Sequence, residues 1–219
     1  NLLKKAVPHL HSAAGFLDGD WWHRTYWMFG SLMASGWGAW PNMGNRVPSG
    51  QIMVMDEQAT YGFGREQYAN GVHAGLNARY HLVSFDKRLP EPAAPPAKAA
   101  RKEGKPARKA VAAGPQAVRR WSVAVPLLAR AMVLADRTLF LAGPPEGSGL
   151  DDLEAAHQGR SGALLWAVSA ENGQKLAAQP LPAPPVWDGL AAARGRLYLC
   201  TLDGHVLCLA GTNGTGSSK

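Results

Sequence analysis

The sequence predicts an all-β protein built from repeated antiparallel units. Three observations lead there. Short apolar runs alternate with polar positions at a period of two, the period of a half-buried strand. The same order of runs and turns recurs three times along the chain. Gly (25) and Pro (16) are plentiful among 219 residues, a composition that favours turns and short elements.

The first unit is GQIMVMDEQATYGFG, continuing as NARYHLVSFD. The second is RAMVLADRTLFLAG, continuing as GALLWAVSAENGQKLAAQPL, and the third is GLAAARGRLYLCTLDGHVLCLAG. Each reads as strand A, a tight turn, strand B, a connection, and strand C. Fourth strands, D, fit RRWSVAV (119–125) after the first unit and KLAAQPL (175–181) in the second. Asp203-Gly204 between two apolar runs marks a hairpin. Asn172-Gly173 marks another turn, since both residues tolerate positive φ. The run LPAPPVWDG (181–189) opposes helix and suits an extended crossing between units.

Second strands begin near Thr60, Thr138 and Arg196, giving gaps of 78 and 58 residues. The first gap contains a 30-residue insert, 89–118, which leaves 48. The second contains a long loop, 143–161, in place of a short turn, and corrected for that it falls to about 40–45 residues, the length of a four-stranded propeller blade. The expected architecture is therefore about three β-propeller blades of four antiparallel strands with a disordered insert. Its parts are 1–88 (N-terminal blades), 89–118 (basic Ala/Pro/Lys linker), 119–210 (further blades) and 211–219 (mobile tail). A closed propeller takes about four to eight blades. The chain thus reads as the C-terminal part of a longer propeller, with its last outer strand supplied from the other end.

The formal charge of +7 suggests polyanion binding until it is mapped. Residues 87–120 hold ten Lys and Arg against Glu91 and Glu103, a net +8, so the rest of the chain is about −1. The segment has no aromatic residue and cannot bury enough apolar surface to offset its ordering entropy. Contact with nucleic acid or an anionic membrane surface is assigned to 87–120 alone. No run approaches the roughly 18 apolar residues of a membrane span, so no transmembrane segment is expected. Cys200 and Cys208 are too few for a disulfide framework. A two-residue turn between them would place the thiols on opposite faces of the sheet, and a bulged turn would change that register. They are expected to be free and buried.

Successive antiparallel strands run up and down, so all B-to-C connections share one rim with the D-to-A crossings. The long loops 65–77 and 143–161 fall there, as does PPVWDG with Trp187 and Asp188. Loops on a rigid scaffold tend to carry function, so this rim is the expected place for a protein partner or small ligand. In loop 143–161, Asp151, Asp152 and His157 with Glu146 and Glu154 read as a cation site or as a solvated acidic loop with one helical turn. The spacing is not that of a metal site, which favours the solvated reading. The cluster Trp21, Trp22, Tyr26, Trp27, Trp37 and Trp40 reads as a stacking platform or as core. His23 beside Arg24 reads as a catalytic pair or as structure. No phosphate loop, GxSxG or HExxH is present, so the sequence offers no positive sign of catalysis.

At GALLWAVSAENGQKL (162–176) and GRLYLCTLDGHVLCL (195–209) the chain resembles the pyrroloquinoline-quinone-like (PQQ-like) repeat. In that repeat an apolar strand ends in Ala-Leu-Asp, then come a Thr-Gly or Asn-Gly turn, a polar residue and a Trp. Here Ala167-Val168-Ser169 takes the first place and Asn172-Gly173 the turn. DWWHRTYWMFG and GWGAW resemble the aromatic-rich blades of large bacterial propellers. Ser169 replaces the family's Asp, and an aliphatic stretch within KLAAQ replaces its docking Trp. The resemblance implies a propeller and favours the periplasm or cell envelope. A quinoprotein dehydrogenase would add PQQ, calcium, a Glu/Asn/Asp site and an adjacent cysteine pair, and none of these roles maps onto a residue here. The expected role is a non-catalytic scaffold without cofactor.

Overall fold

The computed structural model describes residues 9–12, 27–30, 48–65, 80–88, 117–147, 154–156 and 158–211. They form four antiparallel sheets. The first is β1 (His9–Ser12), β2 (Trp27–Gly30) and β3 (Ser49–Gly50). The second is β4 (Ile52–Met55), β5 (Ala59–Arg65), β6 (Tyr80–Asp86) and β7 (Arg119–Ala124). The third is β8 (Ala131–Ala135), β9 (Thr138–Gly143), β10 (Ala163–Ser169) and β11 (Lys175–Leu181). The last is β12 (Pro185–Ala193), β13 (Arg196–Thr201) and β14 (Val206–Ala210). Every sheet is ordered as it runs in sequence. Helix among the described residues is confined to one turn at 154–156, inside the acidic loop where one turn was expected.

Local chemistry explains the hairpins. Strands β8 and β9 are joined across Asp136 at φ 52°, and β12 and β13 across Arg194 at φ 51° and Gly195 at φ 72°. Positive φ is the backbone of the tight turns that match strand twist. The three-residue turn between β4 and β5 is held by Asp56, whose Oδ1 accepts from the N–H of Gln58 and Ala59, 2.7 Å each. Burial raises the Asp56 carboxyl pKa, but these bonds and one from the Tyr61 hydroxyl (3.0 Å) lower it further, so it ends below the usual carboxylate range.

The second, third and last sheets pack face to face in chain order. Tyr61, Phe63 and Leu82 of the second sheet bury against Met132, Leu139 and Leu141 of the third. The opposite face of the third, with Ala131, Ala142 and Leu165, buries against Leu190 and Leu199 of the last. The third sheet is thus covered on both sides, and β9 reads as the nearly unbroken apolar run TLFLAG, because a strand buried on both faces loses polar alternation. First strands meet first strands: β4 lies against β8, and β8 against β12. The crossings between sheets run along the rim of the long loops. Leu128 N–H donates to Pro144 O (2.8 Å), Glu146 N–H to Pro126 O (2.9 Å) and Leu202 N–H to Pro184 O (2.9 Å).

One joint ties the second sheet to the third. Trp121 on β7 donates its indole N–H to Ala170 O at 3.0 Å. Its ring lies on Gly173, at φ 76° in the turn between β10 and β11, where an added Cβ would stand 2.8 Å from both Trp121 and Val123.

Several expectations need correction. Cys200 and Cys208 are free but exposed. The turn spans Leu202–Gly204, so Cys200 pairs with Val206 and Tyr198 with Cys208. Both thiols therefore lie on one face, diagonal to each other, about 7–8 Å apart at Cα and beyond ordinary disulfide reach. In the apolar runs of β10, β13 and β14, Leu199 is fully buried, whereas Trp166, Leu197 and Leu207 are only partly covered. The tail from 212 and most of the basic insert lie outside the described residues. Leu199→Ala should cost about 2–5 kcal/mol in urea denaturation, as for a core leucine. Leu207→Ala at the partly covered neighbouring site should cost clearly less, and equal costs would contradict this packing.

Candidate functional site

The long-loop rim is built around an irregular β12. Pairing with β13 is regular from Leu190 onward and breaks between Pro185 and Leu190. Trp187 and Asp188 stand in that break. Asp188 has φ 58°, a conformation that costs a non-glycine residue about 1 kcal/mol or more. Its N–H donates to Arg130 O at 2.8 Å. Gly189 is hemmed in, since a Cβ there would stand 2.5 Å from the Val186 side chain. The break thus turns the Trp187 ring outward, 57% exposed, beside an exposed carboxylate.

Arg130 reaches the same region from the preceding crossing. Its Nη2 donates to Ala156 O at 3.3 Å, tying the crossing to the helical turn of the acidic loop. Burial lowers its pKa, and the guanidinium remains charged because its unperturbed value is so high. Nearby, Gln158 N–H donates to Glu154 O, and Arg160 Nε donates to Gln158 Oε1. An exposed indole, a carboxylate and a guanidinium are groups for holding a ligand by stacking and charge.

Of the residues singled out from sequence, Trp187 and Asp188 stand together on this rim. Trp21, Trp22, His23, Arg24, Asp151, Asp152 and His157 lie outside the described residues. So does most of the basic segment. Of its described ends, Lys87 donates to Asp56 O at 2.7 Å, and Arg120 pairs with Asp86 at 3.2 Å. Both ends are thereby engaged with the second sheet.

Two features carried no sequence signal. The first is a cleft of about 780 Å³ between the third and last sheets, lined by Phe140, Ala177 and Gln179 on one side and Leu197, Leu209 and Ala210 on the other. It includes the β8–β9 and β12–β13 turns, so it opens at the rim opposite the long loops. The second is His81, buried on β6 with no partner for Nδ1. Desolvation, with Arg119 nearby, lowers its pKa to about 4. A histidine between apolar residues in a strand looks like any half-buried polar position, and only the packing shows otherwise.

Calcium needs six or more oxygen ligands. Among the described residues no group of three or more His, Cys, Asp or Glu comes together, and Cys200 and Cys208 are not adjacent. No helix among the described residues is long and apolar enough to cross a membrane. The fold places the chain among all-β proteins of stacked antiparallel sheets. Comparison with models of known families and with curated proteins found no match.

His81 makes stability depend on pH. The unfolded chain binds this proton at the ordinary value of 6.5 and the folded one only near 4. The neutral-state stability is therefore complete above about pH 6.5 and is lost as pH falls toward 4. Urea midpoints measured from pH 7.5 to 4 should fall, with a loss on the order of 2–3 kcal/mol attributable to this residue. His81→Leu should flatten that segment, and an unchanged slope would contradict the assignment.

Proposed function

We propose that the chain is a non-catalytic scaffold of propeller type, related to PQQ-like repeat proteins, that presents its long-loop rim to a protein or a small ligand. The observation that carries this reading is the Trp121–Gly173 joint. In it an outer-strand tryptophan docks on the Asn-Gly turn of the next sheet, and that turn is where the sequence resembles the repeat. The chain-order stacking of sheets, first strand against first strand, supports the same architecture. The rim supports binding, because exposed Trp187 and Asp188, with the partly buried arm of Arg130 beside them, suit the holding of a ligand. Fold alone does not assign chemistry, so the role rests on the rim groups.

The rival with a defined chemistry is a PQQ-dependent dehydrogenase. Incubating the protein with PQQ and Ca²⁺ and following dye-linked alcohol oxidation separates the two. The scaffold reading expects no quinone-dependent dye reduction and no shift in melting temperature with quinone. Calcium-dependent turnover that exceeds a protein-free control would overturn it.

A further inference from the structure

The break in β12 sets two complementary groups side by side on the long-loop rim. The Trp187 ring is 57% exposed, and Asp188 next to it is exposed as well. β12 stands two strands from β14, the edge at which a fourth strand would add, so this exposure belongs to the rim. Both residues are held in place. Asp188 is fixed at φ 58° with its N–H on Arg130 O, and Gly189 behind it has no room for a Cβ.

The molecule shows elsewhere what its aromatic rings take. Lys175 Nζ stands 4.3 Å from the centre of the Trp166 ring, and Arg119 Cζ stands 5.8 Å from that of Phe85. In each case the adjacent strand supplies the cation, β11 beside β10 and β7 beside β6. Trp187 stands where the β12–β13 ladder is broken, so its adjacent strand has no paired position from which to cover it. Asp188 adds a carboxylate, the second half of a cation site. Around the third and last sheets the described charges of this rim are four carboxylates, Glu146, Glu154, Asp188 and Asp203, against the guanidinium groups of Arg130 and Arg160. Those two arginines are engaged with the acidic loop, through Ala156 O and Gln158 Oε1. The field of the rim therefore favours a cation.

Guanidinium fits both groups. It is planar and stacks on an indole, and its fork of N–H donors meets a carboxylate two at a time, whereas an ammonium is a compact, strongly hydrated point charge. We propose that Trp187 and Asp188 form a site for an arginine side chain of a partner protein, stacked on the indole and hydrogen-bonded to the carboxylate. The basic segment of this chain starts and ends at the opposite rim of the second sheet, where Lys87 and Arg120 are engaged, and the third sheet stands between that point and Trp187. The inference rests on the rim reading and narrows its ligand to a protein that offers arginine.

The probe is the capped peptide Gly-Ser-Gly-Arg-Gly-Ser-Gly, titrated into the isotope-labelled full chain and followed by NMR at the Trp187 indole N–H and the Asp188 amide. Saturable shifts are expected with a Kd of about 1–10 mM, the affinity of one side chain held by a ring and a carboxylate. The same peptide with citrulline, planar but uncharged, should bind at least about tenfold more weakly, and the lysine peptide at least about threefold more weakly. Asp188→Asn keeps the left-handed backbone, which Asn tolerates. It should weaken the arginine peptide at least about tenfold and leave the citrulline peptide unchanged. Trp187→Leu, read at the Asp188 amide, should weaken both. No saturable shift, equal affinity for the arginine and citrulline peptides, or undiminished arginine binding by folded Asp188→Asn would overturn the proposal. So would arginine binding by a chain lacking 89–118 but not by the full chain, which would place the chain's own basic segment in the site. Tighter binding of an uncharged oligosaccharide such as cellotriose at the same two signals would also overturn it, and would leave the rim reading standing. Failure of the rim reading itself is read separately, as calcium-dependent quinone turnover.

Discussion

The structure depends on a tryptophan lying on a glycine. Trp121 leaves the outer strand of one sheet and rests on Gly173, in the turn of the next, while its N–H meets the turn's Ala170 carbonyl. The two requirements are coupled. The turn needs a residue at positive φ, and the ring needs a residue without Cβ; glycine meets both. Asn172 supports the turn by accepting the Gln174 N–H on Oδ1 at 2.9 Å. A largely covered indole brings a large apolar area and a donor that must be satisfied, so the contact fixes both the distance and the orientation of adjacent sheets.

From that joint the stacking follows. The third sheet buries one face on the second and the other on the last. Leu139 and Leu141 of β9 go one way and Phe140 and Ala142 the other. Close approach at the crossings requires small residues: a Cβ on Gly143 would stand 2.2 Å from Leu128 O, and one on Gly62 the same distance from Ser49 O. The long-loop rim, where crossings and loops exchange backbone bonds, is therefore held by the sheets beneath it. That is why the strained backbone at Asp188 can persist there. The same order leaves the far face of the last sheet, with Tyr198, Cys200 and Cys208, open to solvent.

Much of this was legible in the sequence, because strand periodicity and turn chemistry are local. The fourth strand KLAAQPL coincides with β11, and RRWSVAV contains β7, although the connection before β7 is more than thirty residues long. The register of the two cysteines was not legible. It hinged on whether Asp203-Gly204 closes a two- or three-residue turn, and one residue reverses every side chain. The docking Trp was sought after the turn in its own repeat, within KLAAQ, whereas Trp121 comes from the preceding sheet. That contact joins residues 49 positions apart, which no local pattern reports. His81 and the cleft beside β11 were equally hidden, since burial and packing gaps arise only between sheets. At the rim, Trp187 and Asp188 were placed correctly by strand counting, but the break in β12 that presents them has no signature beyond Asp-Gly.

The most direct test of this account is a double-mutant cycle on the joint, read by urea denaturation. Gly173→Ala strains a positive-φ turn and pushes into the ring, so it should cost about 1–3 kcal/mol. Trp121→Ala empties a largely covered site and should cost about 3–5 kcal/mol. With the ring gone, the alanine methyl no longer collides, and the double variant should lose at least about 1 kcal/mol less than the two single losses combined. Losses that simply add would mean that the tryptophan does not rest on the glycine, and that the sheets are held together by something else.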